Sequence, residues 1–232
     1  MGIRENIAAV RQSIDQAARR SGRTGADIIL VGASKMNDAA RCREAIAAGI
    51  DVLGENRIQE MTQKLAENAY QGVPLHFIGH LQRNKVKQVV GKAALIQSVS
   101  SRELLAEIEK QADRLGIVQD ILLEVNIGGE QAKSGFAPEE TAAAAAEAKE
   151  LSHVRLRGLM TIPPIAVEEH GNIPYFEKMA ALFVDINRDL YDNTLEYISM
   201  GMSEDYADAI ACGANMVRIG SAIFGARNYN KD

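Results

Sequence analysis

The sequence predicts an α/β protein that folds as a single (β/α)8 TIM-like barrel, and three observations support this. After residue 26, short apolar runs alternate with longer amphipathic stretches, which is typical of parallel strands joined by helices. The runs number eight over residues 27–232, or about 26 residues per unit, and barrels of this type need roughly 250 residues in all. The first run ends in GASKMND, whereas an open doubly wound sheet would be expected to have a glycine-rich GxGxxG turn there.

Each element has its own signal. An extra helix is predicted over 4–20, where Ile7, Val10 and Ile14 recur at helical spacing before SGRTG at 21–25. The strands are predicted from aliphatic and β-branched runs at 27–34, 51–54, 75–79, 94–99, 119–126, 155–160, 195–200 and 214–219. Helical periodicity predicts the connecting helices at 38–49, 57–69, 82–91, 102–115, 138–151, 173–190 and 204–212, with a short one after 221. Because no linker divides these elements, we assign residues 1–232 to one domain.

Composition narrows the class of protein. The chain is 47% hydrophobic and 25% charged, as ordered globular proteins are. Its 26 basic and 31 acidic residues give a net charge of −5, which argues against nucleic acid as a partner. Cys42 and Cys212 lie far apart, and no run has the length of a signal peptide core or a membrane span. We therefore expect a cytoplasmic protein without a disulfide framework, metal site or membrane partner.

Barrels of this kind place their active sites at the carboxyl ends of the strands. Lys35 directly follows the first strand, and a desolvated lysine there can serve as a Schiff-base nucleophile. Ser203 follows strand seven and is predicted to cap the next helix, while Gly220 and Ser221 follow strand eight. Barrels often bind phosphate at these two positions. The alternatives are a surface lysine, an ordinary helix cap and an ordinary turn.

Two further residues are candidates. Arg218 lies two residues before Gly220 on the same face of strand eight, and a buried guanidinium needs an anion or a strong acceptor. A salt bridge to an acid on a helix is its alternative. Asn56 follows strand two, but with Gln59 it also fits a helix-capping box.

Together these residues make up what a pyridoxal phosphate site on a barrel requires, and the chain resembles a known family. It is similar to the pyridoxal-phosphate homeostasis proteins of the YggS/PROSC type, which are relatives of the alanine racemase N-terminal barrel. The matching motifs are spread over most of the chain: ASK at 33–35, GEN-x-x-QE at 54–60, HFIGHLQ-x-NK at 76–85, EVN at 124–126, K-x-G at 133–135, RGLMTIP at 157–163, MGMS-x-D at 200–205 and VRIGSAIFG at 217–225.

The resemblance implies a role for each matching residue. Lys35 corresponds to the lysine that holds pyridoxal 5'-phosphate (PLP) as an internal aldimine. Ser203, Gly220 and Ser221 correspond to phosphate ligands, although the family more usually has threonine at the position of Ser221. The remaining cofactor-binding residues implied are Arg218 at the pyridine nitrogen, Asn56 near the ring, and Met160 close to the pocket, where His80 also lies. The segment 36–38 reads Met-Asn-Asp where the family usually has Thr-Lys-Pro.

The resemblance also implies a role in intracellular PLP homeostasis without established catalysis. A charged Arg218 would keep the pyridine nitrogen unprotonated and so weaken the ring as an electron sink. Racemisation by two bases also needs the tyrosine of a second domain, which we expect this chain to lack. The alternatives are a fold-type III amino-acid racemase and a Schiff-base aldolase that acts on phosphorylated substrates without cofactor. We expect a monomer, with PLP-dependent apo-enzymes as candidate recipients, and Lys133 on a rim loop.

Overall fold

The computed structural model describes residues 2–225, and its eight parallel strands close into a barrel in chain order. Pairing of β1 with β8, from Ile29 opposite Met216 to Gly32 opposite Ile219, completes the circle. The predicted (β/α)8 barrel is therefore confirmed. The strands are β1 Ile29–Ala33, β2 Val52–Glu55, β3 Leu75–Phe77, β4 Leu95–Val99, β5 Gln119–Val125, β6 Val154–Thr161, β7 Tyr197–Ser199 and β8 Met216–Ile219.

Helices surround the barrel, and one prediction about them was wrong. They are α1 Ile3–Arg20, α2 Ala39–Ala47, α3 Ile58–Ala66, α4 Arg102–Leu115, α5 Pro138–Lys149, α6 Ile173–Tyr191, α7 Tyr206–Ala211 and α8 Ser221–Phe224. In place of the helix predicted at 82–91 there is a 3-10 helix, Arg83–Gln88. Val86 in this helix and Val89 directly after it are both buried, and the Val89 amide donates to the Val86 carbonyl at 2.9 Å, which is the three-residue spacing of a 3-10 turn. A second 3-10 turn, Gly25–Asp27, makes β1 start later than predicted.

The apolar core has two parts. Between the strands and the helices lies the larger part, to which α1 contributes Ile7, Val10 and Ile14, and α1 packs against α7 and α8. Inside the barrel, the smaller part consists of Val31, Val52, Leu95, Leu122, Met160 and Met216. The barrel is therefore filled at this level, as expected for the fold. Within residues 2–225, no helix is long and apolar enough to span a membrane.

Candidate functional site

Strand alternation explains how the site is built. Side chains two residues apart point to the same face of a strand. The next inward positions after the apolar barrel layer line a cavity at the carboxyl ends of the strands, and they include Ala33, Gly54, Glu124, Ile162 and Arg218. Apart from Ile162, these positions carry small or polar residues instead of the large apolar ones of the layer below, which leaves room for a polar ligand.

Two adjoining cavities share this mouth. The smaller, of about 300 Å³, is lined among others by Asn56, His80, Ser98, Glu124 and Ser134. The larger, of about 740 Å³, is lined among others by Lys133, Ser203, Gly220 and Ser221. Lys35 and Arg218 line both cavities. Six of the seven predicted cofactor-binding residues thus come together at one mouth.

Met160 is the predicted residue that lies elsewhere. It is fully buried in the apolar layer of the barrel and does not line either cavity. Ile162, two residues further along, has the same facing and does line both. The motif RGLMTIP therefore contributes its isoleucine to the mouth, while its methionine packs one layer below.

Arg218 is buried on the barrel axis side of β8, with only 4% of its surface exposed. Its Nη1 donates to Ser199 Oγ at 2.6 Å and its Nη2 to the Thr161 carbonyl at 2.8 Å. Burial lowers the pKa of Arg218 to about 10, so the guanidinium remains charged at neutral pH. Its hydrogen bonds go to a hydroxyl and a carbonyl, while the charges of Glu124 and Asp205 act on it without an ion pair among residues 2–225. The predicted alternative of a salt bridge to a helix acid is therefore wrong.

A chain of hydrogen bonds orients this arginine. Because Ser199 Oγ accepts from Arg218, its own proton goes to Gln97 Oε1, at 2.6 Å. The Gln97 amide nitrogen then donates to His76 Nδ1 at 2.9 Å, which requires an unprotonated Nδ1. Burial lowers the pKa of His76 to about 4, in agreement with a neutral ring. Each donor in this chain therefore has a defined acceptor, and the chain fixes the orientation of the Arg218 guanidinium.

His76 should make the protein less stable in acid. Its pKa is about 4 in the folded state and 6.5 in the unfolded reference, so between these values the unfolded chain binds the proton and the folded protein does not. Stability should therefore fall as the pH drops from 6.5 towards 4, by up to about 3 kcal/mol at 1.36 kcal/mol per pKa unit. Urea unfolding at pH 7 and pH 4.5 measures the loss, and His76→Gln should lose less. An equal loss in both proteins would contradict the prediction.

Glu124 is a residue of the site that the sequence analysis missed. Only 8% of its surface is exposed; its Oε1 accepts from Ser134 Oγ at 3.1 Å, while its buried Oε2 has no protein partner. Burial raises the pKa of Glu124, against the opposing effects of Ser134, Arg218 and His80. The available signal was an acid at an inward position of the apolar run QDILLEVN.

Asn56 does not cap a helix, contrary to the alternative considered from the sequence. The residue that precedes α3 is Arg57, and no side chain caps this end. The Asn56 side chain lines the smaller cavity, where its Oδ1 is buried without a protein partner. Gly79 permits this arrangement, since a Cβ there would lie 2.2 Å from the Asn56 carbonyl oxygen. The cavity therefore contains buried polar atoms that a polar ligand could satisfy.

The turns after β7 and β8 are joined to each other. Ser203 was predicted to cap α7, and this is wrong, because α7 begins only at Tyr206 and Asp205 precedes it. Instead, Ser203 Oγ accepts from the Ala222 amide at 3.4 Å, which brings the two turns together. Asp205 accepts at 2.7 Å from both the Met202 amide and Asn172 Nδ2, and with Glu204 it also lines the larger cavity. Ser203, Gly220 and Ser221 consequently offer an anion two hydroxyls and a turn without a side chain.

The fold and the site define a class of protein. The family model of the alanine racemase N-terminal domain matches residues 5–228. The fold is shared with an alanine racemase of Clostridium difficile 630, at a TM-score of 0.74 and 17% identity, with 99% of this chain and 57% of that chain covered. The chain is thus an alanine racemase-type barrel.

Closer relatives narrow this class. The pyridoxal phosphate homeostasis protein of Aquifex aeolicus is 42% identical over 229 residues, which are 99% of this chain and all of that protein. PipY of Synechococcus elongatus PCC7942, solved with PLP bound, is 30% identical at a TM-score of 0.83, with 96% of this chain and 100% of that chain covered. The chain belongs to the family of pyridoxal phosphate homeostasis proteins.

Proposed function

We propose that this protein binds PLP at the mouth of the barrel and takes part in intracellular PLP homeostasis. The observation that carries the proposal is the position of Lys35 and Arg218, which line both cavities, beside the joined turns of Ser203 and Ser221. The relatives named for PLP homeostasis and the PLP-bound PipY structure support it.

The chemistry of the lining residues fits this cofactor. PLP, when bound, supplies an aldehyde and an electron-withdrawing ring. In the proposed site, Lys35 would hold PLP covalently through its Nζ, Arg218 would face the ring nitrogen, and Asn56 would lie near the ring. Ser203, Gly220 and Ser221 would hold the phosphate, while Met160 would support the floor of the site from the layer below. The unpartnered Oδ1 of Asn56 and Oε2 of Glu124 offer hydrogen-bond acceptors to the bound molecule.

The phosphate turns should account for a preference for PLP over pyridoxal, which lacks the phosphate. Replacing Ser221 by valine removes a hydroxyl donor and adds bulk at the turn, so we expect the Kd for PLP to rise at least about tenfold, the effect of losing a hydrogen bond to a charged group. The Kd for pyridoxal should change by less than about twofold. Absorbance titrations of both ligands measure this. Equal losses for the two ligands would contradict the assignment of Ser221 to the phosphate.

We further propose that the protein is not an enzyme. A permanently charged Arg218 at the ring nitrogen disfavours carbanion chemistry. Amino-acid racemase is the second candidate, and the observation that favours it is Glu124, a buried carboxyl group in the same cavity as Lys35. Chiral chromatography of alanine incubated with the loaded protein distinguishes them. Racemisation at enzyme-like rates that Glu124→Gln abolishes would replace the first candidate by the second.

The remaining assignments concern the cellular setting. We propose a cytoplasmic monomer whose whole chain, 1–232, is one domain, and which supplies PLP-dependent apo-enzymes. An aldolase that acts without cofactor remains the alternative if the purified protein takes up no PLP. Sedimentation of the purified protein tests the monomer, and transfer of bound PLP to an added apo-enzyme, against free PLP at the same concentration, tests the supply.

A further inference from the structure

Lys35 lies in an unusual backbone turn. The Asn37 amide donates to the Ser34 carbonyl at 3.1 Å, which closes a four-residue turn with Lys35 and Met36 at its centre. Met36 has φ of +61°, whereas Lys35 is not among the residues with positive φ. A turn in which the third residue has positive φ and the second does not is a type II turn, which normally has glycine or asparagine at the third position. The residue that follows the cofactor lysine thus adopts a backbone conformation that is unfavourable for methionine.

Two side chains of α3 hold this turn from both sides of Lys35. Glu60 Oε2 accepts from the Met36 amide at 2.6 Å, just after the lysine. Lys64 Nζ donates to the Ser34 carbonyl at 2.8 Å, just before it. Glu60 and Lys64 are four residues apart on the helix, with 3.8 Å between Oε2 and Nζ. One face of α3 therefore grips the backbone on either side of Lys35.

The two hydrogen bonds select the turn type. Types I and II differ by a flip of the central peptide, here the one that joins Lys35 and Met36. Glu60 accepts from the N–H of this peptide, and Asn37 Nδ2 donates to its carbonyl, on Lys35, at 3.0 Å. If Glu60 were absent, Met36 would lose the acceptor that offsets its unfavourable φ, and the peptide could flip to the type I form. Such a flip would keep the φ of Lys35 near −60°, but it would break the hydrogen bonds to the Met36 amide and to the Lys35 carbonyl. The backbone that carries Lys35 would then lose its tie to α3 on this side.

We propose that Glu60 is a positioning residue, which with Lys64 holds the strained turn that aims Lys35 into the cofactor site. Glu60 acts through the backbone of Met36 and has no contact with the cofactor in this proposal. The inference rests on the proposed function for the identity of the cofactor. The geometry of the turn is independent of that identity, so part of the test uses the protein without PLP.

The test compares Glu60→Ala with Glu60→Gln. Both remove the carboxylate charge, but the glutamine keeps an oxygen that can accept from the Met36 amide. We expect Glu60→Ala to weaken PLP binding about tenfold and to reduce the visible circular dichroism of the bound cofactor relative to its absorbance. Glu60→Gln should stay within about twofold of the wild type in both measurements.

A second substitution separates positioning from a general loss of structure. Glycine adopts positive φ without penalty, so Met36→Gly in the Glu60→Ala background should restore most of the dichroism and affinity. Gln59→Ala, at an exposed position of the same helix, is the matched control and should resemble the wild type. Equal losses in Glu60→Ala and Glu60→Gln, or no rescue by Met36→Gly, would overturn the proposal.

The second part of the test uses the protein without PLP. Its lysines are reductively methylated with formaldehyde, the rate of methylation is measured across a range of pH, and peptide mass spectrometry shows which lysine has reacted. Glu60→Ala should change the rate profile of Lys35 relative to Glu60→Gln, and Met36→Gly should reverse the change. Identical Lys35 profiles in Glu60→Ala and Glu60→Gln would overturn the inference even if PLP binds. If the wild type takes up no PLP, the proposed function fails, while these profiles still decide the positioning role.

Discussion

Replacing Lys35 by alanine should abolish covalent attachment of PLP. Lys35 is the lysine that lines both cavities and lies next to the turns assigned to the phosphate, so within residues 2–225 no other primary amine has the same access to the ring and the phosphate site together. The wild-type protein with PLP should show a visible band, and borohydride should fix the cofactor to Lys35. In Lys35→Ala we expect both the band and the fixed label to fall below about a hundredth of the wild-type amount, as for loss of an essential nucleophile.

The control for this prediction is Lys92→Ala. Lys92 is exposed and lies just before β4, at the end of the barrel opposite the mouth. This variant should label as the wild type does. Lys133 is the competing amine at the mouth, and its Nζ is already bonded to the Pro163 carbonyl at 3.1 Å and paired with Glu130. A full wild-type label that persists in Lys35→Ala and maps to Lys133 would contradict the assignment.

Much of this architecture could be predicted because the signals are local. Aliphatic runs such as ILVGA in β1 and the periodic Ile7, Val10 and Ile14 of α1 carry their secondary structure in a few neighbouring residues. The position of each strand end then follows from chain order, and parallel strands bring their carboxyl ends to one face. For this reason the sequence alone predicts that Lys35, Arg218 and Ser221 lie at one mouth.

The sequence could not predict which layer of the barrel a side chain occupies, or whether a side chain caps the helix that follows it. Met160 and Ile162 share a face, and only the position of the barrel layers decides which of them reaches the cavity. Capping is similar: Asn56 and Ser203 are good caps by residue type, but the helices that follow them start later than their positions require. A shift by one layer of the barrel, or a helix that begins one residue later, is enough to change the role of such a side chain.

Hydrogen-bond networks between side chains of different strands could not be predicted from the sequence either. The chain from Arg218 to His76 passes through Ser199 and Gln97, which come from β7 and β4. No short motif contains these residues together. The same is true of the buried group behind Lys35, in which Ser34, Lys64 and Tyr70 all donate to Glu55 Oε1. Burial raises the pKa of Tyr70, which keeps its hydroxyl protonated as a donor.

This buried group leads to the largest expected effect on stability, that of Lys64→Met. Glu55 is completely buried and Lys64 has only 6% of its side chain exposed, with 2.6 Å between Glu55 Oε1 and Lys64 Nζ. Methionine would fill a similar volume but leave the Glu55 carboxylate without its cation. Removing one partner of a buried pair costs about 3–5 kcal/mol, and urea unfolding at pH 7 measures that loss directly.

Two comparisons show whether the loss comes from the unpaired charge. The double variant Glu55→Gln with Lys64→Met removes both charges and keeps an acceptor for Ser34 and Tyr70, so it should recover most of the lost stability. Arg102→Met breaks the exposed pair with Glu147, whose side chains are 51% and 39% exposed, and should cost less than about 1 kcal/mol. If Lys64→Met costs no more than Arg102→Met, the buried pair does not hold the end of β2 against α3.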